Sequence, residues 1–249
     1  MDSLKLRITP KLPEPVAELP TGMVWIERGA QRAALFTPDE IDAGRRYPLL
    51  AVLHGAGRRE ELLMKAYRDE AEGRQALFLI PRSFHGTWDL ITAATQGAGA
   101  SAAAGAPSAR PDLDFLEYAY DLIFRRYPVD AERLGLIGYS DGASYALSVG
   151  LSNPALFRAV MGWAAGFVAI ENEAAAEGVP RPAVLVEYGT HDELFPFEQV
   201  ALPMREQLEA FGCAVTFRVD QGGRHWPSGE FQDDALDWFF SGGGRSSKG

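Results

Sequence analysis

The chain has 249 residues, 47% of them hydrophobic, enough for one large core or two small ones. Its formal net charge of −10, with no basic run, argues against nucleic acid or an anionic membrane as partner. The single cysteine, Cys213, excludes an intrachain disulfide, and four scattered histidines without an H-x-x-x-H spacing argue against a zinc site. No apolar stretch is long enough to insert in a membrane, and Met1 to Lys5 lacks a leader pattern. The expected location is the cytoplasm.

In chain order, Leu4 to Ile8, Met23 to Glu27 and Arg32 to Phe36 read as short strands. Between the first two, Pro10, Pro13, Pro15 and Pro20 predict an extended connector over about 10–20. Six apolar runs follow, at Leu49–Leu53, Ala76–Ile80, Leu134–Tyr139, Ala159–Trp163, Val184–Tyr188 and Val215–Val219. Helical patterns fall between and after them, at Glu60–Ala71, Leu113–Tyr127, Ala143–Leu151, Glu198–Phe211 and Phe231–Phe240. Alternating strands and helices predict an α/β fold: a mostly parallel twisted sheet of about eight strands, helices on both faces and antiparallel early strands at one edge. The whole chain, 1–249, reads as one domain. Residues 93–109 are Gly, Ala and Ser-rich, too poor in large apolar groups to build a large cap domain, and 242–249 reads as a disordered tail.

Gly138-Tyr139-Ser140-Asp141-Gly142 lies between an apolar strand and an alanine-rich helix. This is the G-x-S-x-G pattern in a strand–turn–helix context, which lifts a serine hydroxyl clear of a sheet. Such a serine needs a base, and the base an acid to hold its tautomer. Asp192 follows the strand 184–188, and His225 lies in a glycine-rich loop after the strand 215–219. The order Ser, Asp, His fits this context, whereas His54 precedes the serine and reads as a bracing histidine. Ser144 is the next serine able to serve if Ser140 does not. An oxyanion needs two backbone N–H donors: Asp141 after the serine, and Ala56, or failing it Gly57, in His54-Gly55-Ala56-Gly57. Trp88, Phe167, Phe195 and Trp226 follow strand ends and are the candidates to line a substrate pocket.

These segments, with Pro81-Arg82-Ser83 and Gly86-Thr87-Trp88-Asp89, resemble α/β-hydrolases of the phospholipase/carboxylesterase type. Within that type the pattern lies near the small bacterial esterases and the polyhydroxybutyrate-depolymerase-like and feruloyl esterases. The likeness spans roughly residues 47 to 240. It implies a serine esterase acting on a small-molecule ester, with Ser140, Asp192 and His225 as triad, and no cofactor or metal. A thioesterase or small-peptide hydrolase would use the same residues, and a non-catalytic ligand-binding relative is the reading outside enzymes. Acyl-protein thioesterases of this type usually carry Gln after the nucleophile. Asp141 departs from that pattern.

Overall fold

The computed structural model describes residues 4–11, 13, 19–96, 109–170, 179–227 and 229–243. The chain forms two compact units, residues 1–134 and 135–249.

The first unit contains β1 (Met23–Arg28), β2 (Gln31–Phe36), β3 (Tyr47–Leu53) and β4 (Leu77–Pro81), in the order β1-β2-β4-β3. β1 pairs antiparallel with β2, β2 antiparallel with β4, and β4 parallel with β3. Every residue of β3 and β4 is buried, so both read as unbroken apolar runs. The helices are α1 (Glu60–Tyr67), α2 (Glu70–Arg74), α3 (Asp89–Gln96) and α4 (Pro111–Arg126). α4 starts with proline at a position that needs no N–H donor. It buries Leu113, Leu116, Tyr120, Ile123 and Phe124, a stripe at helical spacing.

β5 (Val129–Tyr139) leads into the second unit. There α5 (Asp141–Ser152), β6 (Ala159–Trp163), β7 (Ala183–Gly189), a π-helical turn (Phe197–Ala201), α6 (Leu202–Ala210), β8 (Val215–Asp220) and α7 (Gly229–Phe240) follow. The strands run β5-β6-β7-β8, all parallel. Parallel pairing places the loops after β5, β7 and β8 at one edge of this unit. Ser140, Asp192 and His225 lie in those loops.

Four local expectations are corrected. Leu4 to Ile8 is not a strand: the Arg7 N–H donates to Glu117 Oε1, and the Lys5 carbonyl accepts from Arg110, so side chains of α4 and of the residue before it take the bonds a ladder would use. The helix expected at 60–71 is two helices, α1 and α2; the second ends at Gln75 in a left-handed conformation with φ 51. β5 begins at Val129 rather than 134. Residues 93–96, expected as loop, complete α3, while 97–108 fall outside the described residues, as do 12, 14–18 and 244–249.

α3 starts where it does for a tertiary reason. Asp112 in the first turn of α4 accepts the N–H groups of Phe84 at 2.6 Å and Asp89 at 2.7 Å. Asp89 in turn accepts the N–H of Asp112 at 2.9 Å and of Leu90 at 2.7 Å. Each carboxyl thus caps the other's helix and lies at its positive dipole end. Both side chains are buried. Burial, and then the Asp89 charge, push the Asp112 carboxyl well above the usual range, against the pull of its N–H donors. Asp112→Ala leaves one buried and one half-buried N–H group without an acceptor and should cost about 2–4 kcal/mol of stability by urea unfolding. A loss under about 1 kcal/mol would mean that the reciprocal caps contribute little.

Candidate active site

Ser140 sits between β5 and α5 at φ 55 and ψ −118, a left-handed backbone for a residue with a Cβ. Its neighbours determine that conformation. The Ser140 N–H donates to the Trp163 carbonyl at 2.8 Å, and its own carbonyl accepts from Ala143 at 2.9 Å and Ser144 at 3.0 Å. A Cβ at Gly138 would collide with the Gly142 carbonyl, so the turn requires glycine there.

His225 Nε2 lies 2.8 Å from Ser140 Oγ, and His225 Nδ1 lies 2.8 Å from Asp192 Oδ2. A carboxylate on Nδ1 fixes the proton there, leaving the Nε2 lone pair to accept from the serine hydroxyl. The other carboxylate oxygen, Oδ1, accepts the N–H groups of Leu194 and Phe195, both at 2.9 Å. His225 is 8% exposed and Asp192 5%, so this chain of bonds is largely shielded from water. The loops that carry Asp192 and His225 are also tied to each other. The Thr190 N–H donates to Asp220 O at 3.0 Å, His191 to Gly223 O at 2.8 Å, and Gly222 to Thr190 Oγ1 at 2.8 Å. His191 itself is exposed.

Trp163 was not singled out by sequence, yet its indole N–H donates to the His225 carbonyl at 2.6 Å. Its ring packs edge-on against Phe231 of α7, which also meets Tyr139 beside the serine. The only sequence signal was its place at a strand end. Ser144 is no nucleophile in this arrangement. It is 1% exposed, and its hydroxyl accepts the N–H of Gly166.

The candidate pocket residues divide. Phe195 packs edge-on against His225 with ring centroids 5.2 Å apart. Trp226 is 65% exposed with its ring 5.9 Å from that of His225. Phe167 is half-buried. Trp88 is a correction. It is 1% exposed, stacks on His54 at 4.7 Å and donates its indole N–H to the His54 carbonyl, so it supports the loop after β3 and lines no open wall. A cavity of about 590 Å³ is lined by Asp192 itself with Thr190, Pro196, Phe197, Val219 and Gln221, and none of the four expected aromatics reaches it.

In the loop after β3, the Gly57 N–H is already bonded to Gly86 O at 2.8 Å, whereas Ala56 is exposed in the turn. His54 is a brace: Nε2 accepts the Ser83 N–H at 3.1 Å, and Nδ1, 2.7 Å from Gly55 O, carries the proton. Burial holds His54 below the ordinary histidine range. Cys213 is buried, and that pushes its thiol up to about 11, away from the reactive thiolate. Among the described residues no group of His, Cys, Asp and Glu could hold a metal ion, and no helix is long and apolar enough to cross a membrane.

No protein-family model matches the chain, and no curated protein matches its sequence. Solved structures do match. Esterase PE8 is 21% identical with TM-score 0.60, over 84% of this chain and 97% of its own. An S-formylglutathione hydrolase from Agrobacterium tumefaciens is 17% identical with TM-score 0.62, over 90% and 97%. The CE1 ferulic acid esterase of Anaeromyces mucronatus is 17% identical with TM-score 0.63, over 96% and 99%. At these identities the likeness is one of fold, and the fold is that of the α/β-hydrolases.

His54 generates a test of the brace. Between its lowered value and the ordinary ~6.5, the unfolded chain binds a proton that the folded chain refuses. Its contribution to stability is therefore complete above about pH 6.5 and is lost as the pH falls below that. His54→Gln, which keeps an acceptor for Ser83, should show a shallower loss of stability than wild type in urea titrations across this range. Equal slopes would remove His54 as the cause.

Proposed function

We propose that the chain is a serine hydrolase that cleaves small carboxylic esters through an acyl-enzyme. One observation carries the reading: the unbroken chain Asp192–His225–Ser140, with 2.8 Å at both imidazole nitrogens, ends on a serine held in a left-handed turn. Esterases of the same fold among the solved structures support it.

In this reading His225 Nε2 takes the Ser140 proton as Oγ attacks the carbonyl carbon. Asp192 offsets the imidazolium charge and keeps the ring in the tautomer that can accept. Asp141, first residue of α5, offers its N–H to the oxyanion at the positive end of that helix. Collapse of the tetrahedral intermediate breaks the carbonyl–oxygen bond, and His225 returns the proton to the leaving alcohol. Water repeats the sequence on the acyl group and frees Ser140. Phe195 and Trp226 flank His225, the side where the leaving group departs, so they form an apolar surface for it. Phe167 is the candidate for the acyl side.

Ser140→Ala should remove ester hydrolysis by roughly 10³-fold or more while the protein stays folded, and should abolish labelling by a fluorophosphonate. Asp192→Asn should cost on the order of 10⁴ in kcat by favouring the wrong tautomer. Near-wild-type turnover in Ser140→Ala would falsify the assignment.

The exposed aromatics are few and no amphipathic lid is evident among the described residues, so short-chain or aryl esters in solution are the expected substrates. Rates for p-nitrophenyl esters should level off with concentration below the solubility limit. A sharp increase on emulsion formation, or a preference for long acyl chains, would contradict this.

A further inference from the structure

The geometry points to Ser144 as a positioning residue for the His225 imidazole, acting through Gly166 and Phe195; this rests on reading His225 as the base for Ser140. Ser144 and Ser148 lie one turn apart on α5. Each hydroxyl donates back along its own helix, Ser144 to the Ser140 carbonyl at 3.4 Å and Ser148 to the Ser144 carbonyl at 2.7 Å. The lone pairs that remain face the chain after β6. Ser144 Oγ accepts the N–H of Gly166 at 2.9 Å and of Phe167 at 3.4 Å, and Ser148 Oγ accepts that of Ala169 at 2.9 Å.

The segment so held is fixed elsewhere too. Ala164 has φ 49, and its N–H donates to Glu187 O at 3.0 Å. The Ala165 carbonyl accepts from Tyr188 Oη at 2.9 Å. A run of irregular backbone with this many fixed bonds acts as a rigid shelf. Its purpose is legible at Gly166. A Cβ there would lie 2.7 Å from Phe195 Cζ and 2.9 Å from Cε1, so the tip of the Phe195 ring rests on bare backbone. The same ring meets His225 edge-on, and the Phe195 N–H is bonded to Asp192. Phe195 is thus tied by its backbone to the acid and by its ring to the base. The ring tip rests on Gly166, and the Gly166 N–H is held by Ser144 Oγ. The nucleophile's own helix thereby fixes the third side of the imidazole, after Asp192 on Nδ1 and Ser140 on Nε2.

Two kinds of variant test this. Gly166→Ala should drive the Phe195 ring toward His225 and lower kcat by about 10- to 100-fold with little change in KM, as expected for sub-ångström misplacement of a catalytic group. Phe195→Leu makes room for the added methyl, so the double variant Gly166→Ala/Phe195→Leu should recover to within about threefold of Phe195→Leu alone. Ser144→Ala should lower kcat in the same manner, and Ser144→Thr, which keeps the hydroxyl, should restore it. A Gly166→Ala enzyme with wild-type kcat, or a double variant no better than Gly166→Ala, overturns the proposal.

The His225 ring signals in NMR separate this from the hydrolase reading. They should shift in Ser144→Ala whether or not the chain cleaves esters. Unshifted signals together with an inactive Ser140→Ala sink the positioning role alone. Shifted signals together with an active Ser140→Ala sink the hydrolase reading alone.

Discussion

The left-handed backbone at Ser140 is the constraint on which the second unit is arranged. Such a conformation costs about 1–2 kcal/mol for a residue with a side chain, so it persists only where neighbours over-determine it. Trp163, at the end of β6, holds the Ser140 N–H, and the first turn of α5 hangs from the Ser140 carbonyl. Trp163 also holds the His225 carbonyl through its indole. One residue of β6 therefore references both the serine and the histidine to the same strand. Gly138 allows α5 to approach β5 closely enough for the turn to close.

The pieces of the candidate site were readable in sequence because each had a local cause. Glycine around Ser140 reports a backbone that a Cβ would block, and an apolar run before each loop reports a strand end. The parallel order β5-β6-β7-β8 then brings three strand-end loops to one edge, and no long-range guess is needed beyond chain order. The short early strands expected to pair antiparallel are β1 and β2, and they do.

What could not be read has tertiary causes. α3 has threonines that suit a loop as well as a helix, and its start is fixed by Asp112, which lies far along the chain. Leu4 to Ile8 has a strand's composition, but Arg110, just before α4, and Glu117 of α4 capture its backbone groups. Trp88 stands after a strand end like a pocket residue, yet the imidazole of His54 offers it a stacking face and the His54 carbonyl an acceptor, and burial follows. Ser144 reads in sequence as a second candidate nucleophile, and only the folded chain reveals the N–H groups that arrive from 22 and 23 residues away to occupy its hydroxyl.

The bonds between the loops after β7 and β8 have a consequence for how the molecule fails. Thr190, His191 and Gly222 bind these loops into one piece, so Asp192 and His225 share a single opening event. β8 is the terminal strand of the series, and most of its residues are only half-buried. Fraying of that strand would carry His225 and Asp192 away from Ser140 together while the buried strands β5 to β7 keep their amide protons. On warming, hydrogen exchange at 190–191 and 222–223 should therefore accelerate as one cooperative group. The hydrogen bonds that join Asp192, His225 and Ser140 should be lost with that group, several degrees before the core melts.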